Sequence, residues 1–232
     1  VTGERPVDVP DSVTALYVVL TDEPLESDLP APPVPPPSLL LARGSSPKAV
    51  AYAEGLVHAI AVTEEGPTAD ALGVHRRAQE RARALAAEHV GAAVDVAVPR
   101  LVGGSVPHPD QVRATDWFVL EHPDDATTTT HGIARVGVPE LVAAQVPPGQ
   151  LPMYDAVLTG LAQRVLEEWP DHDPVGPATI TLRDVARGYG DASAGGEDPT
   201  LARSIDVTLA YDEDADLLAV TLHDDPATAL FA

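Results

Sequence analysis

The chain has 232 residues, 44% of them hydrophobic, and carries 36 acidic against 14 basic side chains for a formal net charge of −22. Length and apolar content are sufficient for a packed core, which excludes wholesale disorder, and the charge repels phosphate backbones and anionic headgroups, so neither nucleic acid nor membrane is an expected partner. With no cysteine, disulfides, thiol chemistry and cysteinyl metal sites are excluded together.

Aromatic residues make up only 4%, so the core is expected to be aliphatic. Lys48 is the one lysine, while arginine, alanine, proline and aspartate abound. That bias fits a GC-rich bacterial genome, with a halophilic origin as the alternative, and Val1 fits a GTG start codon. The first residues are not followed by an apolar signal segment, and no run approaches the roughly 18 apolar residues of a spanning helix, so a cytoplasmic protein is expected.

Residues 1–12 lack periodicity and read as a flexible lead-in. Residues 13–20 are short, apolar and β-branched, as in a buried strand. From 21 to 37 the composition turns to acid and proline, ending Pro30-Ala-Pro-Pro-Val-Pro-Pro-Pro37, which favours extended polyproline II geometry. A stiff surface loop is the preferred reading, with a docking ligand for a proline-reading domain as the other. Residues 38–42 and 49–62 read as strands, the latter as two strands joined at Gly55.

Residues 68–89 predict a long helix, with Ala71, Leu72, His75, Ala78, Ala82, Leu85, Ala86 and His89 on one stripe and Thr68 or Asp70 as cap. Its other face carries Arg76, Arg77, Arg81 and Arg83 beside Glu80 and Glu88. These arginines are candidates for an anionic ligand, with pairing to the chain's own acids as the ordinary use. Residues 92–98 and 116–121 read as strands.

Residues 127–142, Thr-Thr-Thr-Thr-His-Gly-Ile-Ala-Arg-Val-Gly-Val-Pro-Glu-Leu-Val, read as a glycine-punctuated junction leading into a strand at Glu140, with Pro139 fixing its entry. A second long helix follows from Pro152 to Trp169, with Tyr154, Val157, Leu158, Leu161, Val165 and Trp169 on a stripe. Residues 178–182 read as a strand and 188–200 as a glycine- and acid-rich loop without fixed order. Alternating residues 205–211 and 218–222 form a terminal hairpin. The sum is an α+β fold with mainly antiparallel sheet and two long amphipathic helices. It is laid out either as one domain over 13–232 or as two similar lobes, 13–110 and 111–232.

Candidate chemistry centres on the middle motif, with His131 as acid/base or ligand, Glu140 as base or ligand and Arg135 as anion clamp. Each has a structural alternative: His131 bonded to a threonine hydroxyl, Glu140 satisfying turn amides, Arg135 paired with an acid. The loop histidines His108 and His122 are candidate metal ligands if they converge with His131 and Asp116, Asp124 or Glu140, but no pair has the helical His-x-x-x-His spacing. The acidic turn 212–216 fails a calcium loop, since Leu217 and His223 replace its glycine and glutamate. There is no Gly-x-Ser-x-Gly elbow and no phosphate-binding or dinucleotide fingerprint, so no cofactor is expected.

The motif Thr129-Thr-His-Gly-Ile-Ala-Arg-Val-Gly-Val-Pro-Glu-Leu141 resembles a bacterial family known as domain of unknown function 4261, whose pattern ends Gly-x-Pro-Glu-Leu or -Ile. The order of the flanking strands and helices over about 13–187 is similar too. Val136 stands where that family has phenylalanine. The resemblance implies no known activity. The expectation is a non-enzymatic protein- or ligand-binding module with a basic protein partner, in an immunity or stress setting, and its rival is a hydrolase or metal-assisted enzyme using His131 and Glu140.

Overall fold

The computed structural model describes residues 6–26, 29–103, 112–196 and 198–232. They form two compact units: an N-terminal unit of residues 10–103 with 135–137, and a C-terminal unit of residues 6–9, 112–134 and 138–232. Together they make an α+β protein with one antiparallel and one mixed sheet. No helix among the described residues is long and apolar enough to cross a membrane.

The N-terminal unit is built on β1 (Ser12–Thr21), whose Tyr17 to Thr21 are all buried. Two helices follow, α1 (Pro37–Ala42) and α2 (Pro47–Glu54), then β2 (His58–Pro67), α3 (Ala71–Glu88), β3 (Ala92–Asp95) and β4 (Arg100–Leu101). The sheet order is β2-β1-β3-β4, with β1 paired to β2 over ten positions. Val18, Leu20 and Val94 pack with Leu40, Val50 and Ala53 of α1 and α2. Residues alternate across a strand, so Tyr17 and Val19 face the other way. The buried stripe of α3, with Val74, His75, Ala78, Ala82 and Ala86, packs on the same sheet.

The strands expected at 38–42 and 49–54 are corrected to helices. Pro37 and Pro47 occupy first-turn positions, where a missing N–H costs nothing, and Ser46 Oγ accepts the Ala49 N–H at 3.2 Å. The long helix stands, preceded by a 3₁₀ turn at Thr68–Asp70, but neither proposed cap acts as one. The Thr68 hydroxyl donates to Pro10 C=O, and Asp70 receives Arg77 Nη1 at 2.9 Å.

The C-terminal unit contains β5 (Val119–Asp124), β6 (Thr127–His131), β7 (Glu140–Ala143), α4 (Leu151–Glu168), β8 (Gly176–Thr181), α5 (Leu182–Tyr189), β9 (Ser204–Asp212), β10 (Leu217–Leu222) and α6 (Pro226–Ala229). The sheet order is β5-β6-β7-β10-β9-β8, antiparallel except for the β7–β10 pair. The terminal hairpin thus inserts its second strand beside β7. Within the lead-in, Val7 is 1% exposed and its N–H donates to Asp173 Oδ2 at 3.4 Å, while Pro6, Asp8, Pro10 and Asp11 are exposed.

α4 departs from a single-striped helix, because residues 156–163 are all buried. α5 lies against it, and the approach is close: a β-carbon on Gly160 would sit 2.9 Å from Val185 Cγ2, and one on Gly188 2.8 Å from Thr159 O. The stretch 188–200, expected to lack order, begins inside α5 and continues through 3₁₀ turns at Ala192–Gly195 and Pro199–Ala202. Arg183 Nη1 holds it by donating to Ala194 C=O at 2.6 Å.

The outer strands share a device. In β2 and β8, backbone groups alternate between pairing inward and pointing outward, and Thr63 and Thr179 are outward positions, as the neighbouring ladder bonds fix the alternation. Arg81 Nη1 donates to Thr63 C=O at 3.2 Å, and Arg164 Nη1 to Thr179 C=O at 2.7 Å. On β4 the outward Leu101 N–H donates to Ser45 Oγ at 2.9 Å. β5 carries Pro123, which has no N–H, within a register shift between Glu121 and Asp124.

Candidate functional site

The threonine run is a strand. Thr128 and Thr130 are buried with their hydroxyls satisfied: Thr128 Oγ1 donates to Asp155 at 2.6 Å and Thr130 Oγ1 to Glu140 Oε2 at 2.6 Å. The other oxygen of Glu140 accepts the Gly132 N–H at 2.6 Å and the Ala134 N–H at 3.2 Å. Gly132 has φ of 115°, a conformation a side chain would resist. Glu140 is therefore engaged by three donors of its own loop. His131 lies exposed at the end of β6, opposite Val119.

Arg135 belongs to the N-terminal unit and is buried there. Its Nη1 contacts both oxygens of Asp95 at 2.8 and 3.0 Å, with the two side chains 7% and 1% exposed. Asp95 also accepts the Val98 N–H at 3.0 Å. His75 Nε2 is 3.0 Å from the Arg135 carbonyl oxygen, which can only accept, so the ring's proton is on Nε2. Burial, reinforced by the Arg135 charge, pushes His75 down to about 4, and burial pushes the Tyr17 phenol up to about 12. Such shifts mark reactive sites when they border a cleft. Here the side chains of Tyr17, His75, Asp95 and Arg135 are sealed from solvent, which assigns them to holding residues 135–137 in place.

The remaining sequence candidates separate. Arg77 pairs with Asp70 at 2.9 Å and Glu64 at 3.5 Å, and Arg81 pairs with Glu64 at 2.9 Å, all on partly or fully exposed surface. Arg76 is half-buried on the same helix. His122, 40% exposed, contacts Asp155 at 3.0 Å, the carboxylate that also receives Thr128. His108 lies outside the described residues. Among those described, no group of three or more His, Asp or Glu side chains is disposed to hold a metal ion.

Arg83 borders a cavity. A groove of about 540 Å³ in the N-terminal unit runs between α2 (Ala49, Tyr52), the C-terminal half of α3 (Glu80, Arg83, Ala84, Ala87) and the strip Gly91–Ala93 with Leu101–Gly103. Small side chains create the space: six alanines and two glycines line it. Gly91 is required by packing, because a β-carbon there would lie 2.2 Å from Leu20 O. The Tyr52 hydroxyl donates to Val90 C=O and fixes one wall. An apolar floor with a guanidinium and a carboxylate on one wall suits an amphipathic guest. Sequence reasoning named Arg83 as a candidate but did not show the groove. The signal present was the density of small residues at 84–93, which reads equally well as tight helix packing. No protein family, curated protein or solved structure matches this chain.

Proposed function

We propose that this chain is a non-enzymatic binding module whose groove between α2, α3 and β3 takes a small amphipathic ligand. The observation that carries the reading is the groove itself, whose floor of alanine side chains suits an apolar body. The rival hydrolase reading loses support because Glu140 is bonded to Thr130, Gly132 and Ala134, and Arg135 to Asp95. The net charge of −22 adds that a protein partner would be basic, in the bacterial cytoplasmic setting the composition suggests. Kinship with domain of unknown function 4261 is part of this proposal and rests on the 129–141 motif.

Anilinonaphthalene sulfonate combines an aromatic body with a sulfonate and serves as the probe. Saturable, equimolar fluorescence enhancement is expected. Ala87→Trp, at an exposed lining position, should abolish it. Enhancement that does not saturate, or that survives Ala87→Trp, rejects the groove as the site.

A further inference from the structure

The stretch leading into α1 carries proline at 30, 32, 33, 35 and 36, and Pro37 opens the helix. Each ring sets its own φ near −65° and drives the residue before it toward extended geometry, and Pro36, with φ −65° and ψ 151°, has polyproline II values. Such a helix repeats every three residues. Exposure follows that period: Pro30, Pro33 and Pro36 are exposed, while Ala31, Pro32, Val34 and Pro35 are half-buried. Val34 packs against the cluster of Val18, Leu20, Leu40 and Val50. The segment is thus seated on its own core through Val34 and shows a proline ring every third residue, about 9 Å apart, on its exposed face.

We propose that the Pro30–Pro33–Pro36 ridge is a docking ligand for a protein module with a groove of aromatic side chains and a basic rim. Seating on the core accounts for the inward residues but not for rings at the exposed positions, where any polar residue would serve a linker. A ridge already fixed in polyproline II geometry loses little conformational freedom on binding, which is the advantage such grooves exploit. The basic rim follows from charge: the exposed Asp22, Glu23 and Glu26 precede the ridge, on a chain of net charge −22. This surface is independent of the groove bordered by Arg83, and either can fail without the other.

The test titrates the full chain into isotope-labelled SH3, WW and EVH1 domains, each chosen with lysine or arginine beside its aromatic groove, and follows the groove resonances. At least one probe should bind saturably and more weakly as salt is raised. The double variant Pro30→Ala/Pro33→Ala should bind about tenfold or more weakly, about 1.4 kcal/mol, while off-face Pro32→Ala stays within about twofold. Thermal midpoints of all variants establish that they are folded, and Pro33→Ser serves if the double variant is not. The proposal is overturned if none of the three probes saturates, or if a folded ridge variant binds like the parent chain. It is equally overturned if the chain alone sediments as a dimer that the double variant abolishes, since the occupant would then be a second copy.

Discussion

His75 reports on its surroundings through its proton. Its folded value of about 4 lies below the ordinary 6.5, so the unfolded chain binds the proton more readily. The penalty is absent above pH 6.5, grows as pH falls toward 4, and is complete below it, reaching about 3 kcal/mol at 1.36 kcal/mol per unit. Urea titrations of the parent chain and His75→Gln, whose amide can still donate to the Arg135 carbonyl, should diverge over that window, with the variant shallower. Parallel curves would show that His75 is not the group responsible. Periodicity alone placed His75 on the buried stripe of α3. The partner of Arg135 was not legible, because Asp95 stands 40 residues away and only the fold makes them neighbours.

Among the elements, α4 shows what a helix of small and large residues achieves when it is covered on two sides. Gly160 lets α5 approach, and Gln163, fully buried, donates to Val112 C=O at 2.9 Å and accepts the Ala114 N–H at 3.0 Å. Gly160→Ala gains about 1 kcal/mol of helix propensity but forces a methyl to 3.0 Å from the Val185 backbone nitrogen, and overpacking of that kind costs about 1–3 kcal/mol. The backbone cannot swing aside as a side-chain tip can. A net loss of about 1 kcal/mol is therefore expected in the urea midpoint, and a gain would mean that α5 yields. Long periodic elements such as α3, α4 and the β9–β10 hairpin were legible in the sequence. α1 and α2 were not, since runs of six to eight residues hold too few turns to separate helical from extended spacing. α5 was missed although its capping box, Thr181 with Asp184, is written in the chain.

Over the whole molecule, the N-terminal unit is discontinuous: residues 135–137 belong to it although residues 107–134 intervene in the sequence. In the full chain Asp95→Asn should destabilise, since it strips the buried Arg135 of its counter-charge, by about 3–5 kcal/mol. In a piece limited to residues 10–106 the same change should stabilise, because Asp95 there has lost Arg135. Denaturation of the four proteins tests this reversal of sign, and equal effects in both lengths would refute it. The groove was illegible for a related reason, as its walls come from residues as distant as Ala49, Ala87 and Leu101. The arginines over Thr63 and Thr179 and the serine over Leu101 have a further meaning at this scale. A strand arriving from another chain needs free backbone groups to pair with, and at those positions it finds them already engaged. The block on pairing at those positions does not depend on the negative charge, and it persists in acid or salt where mutual repulsion fades.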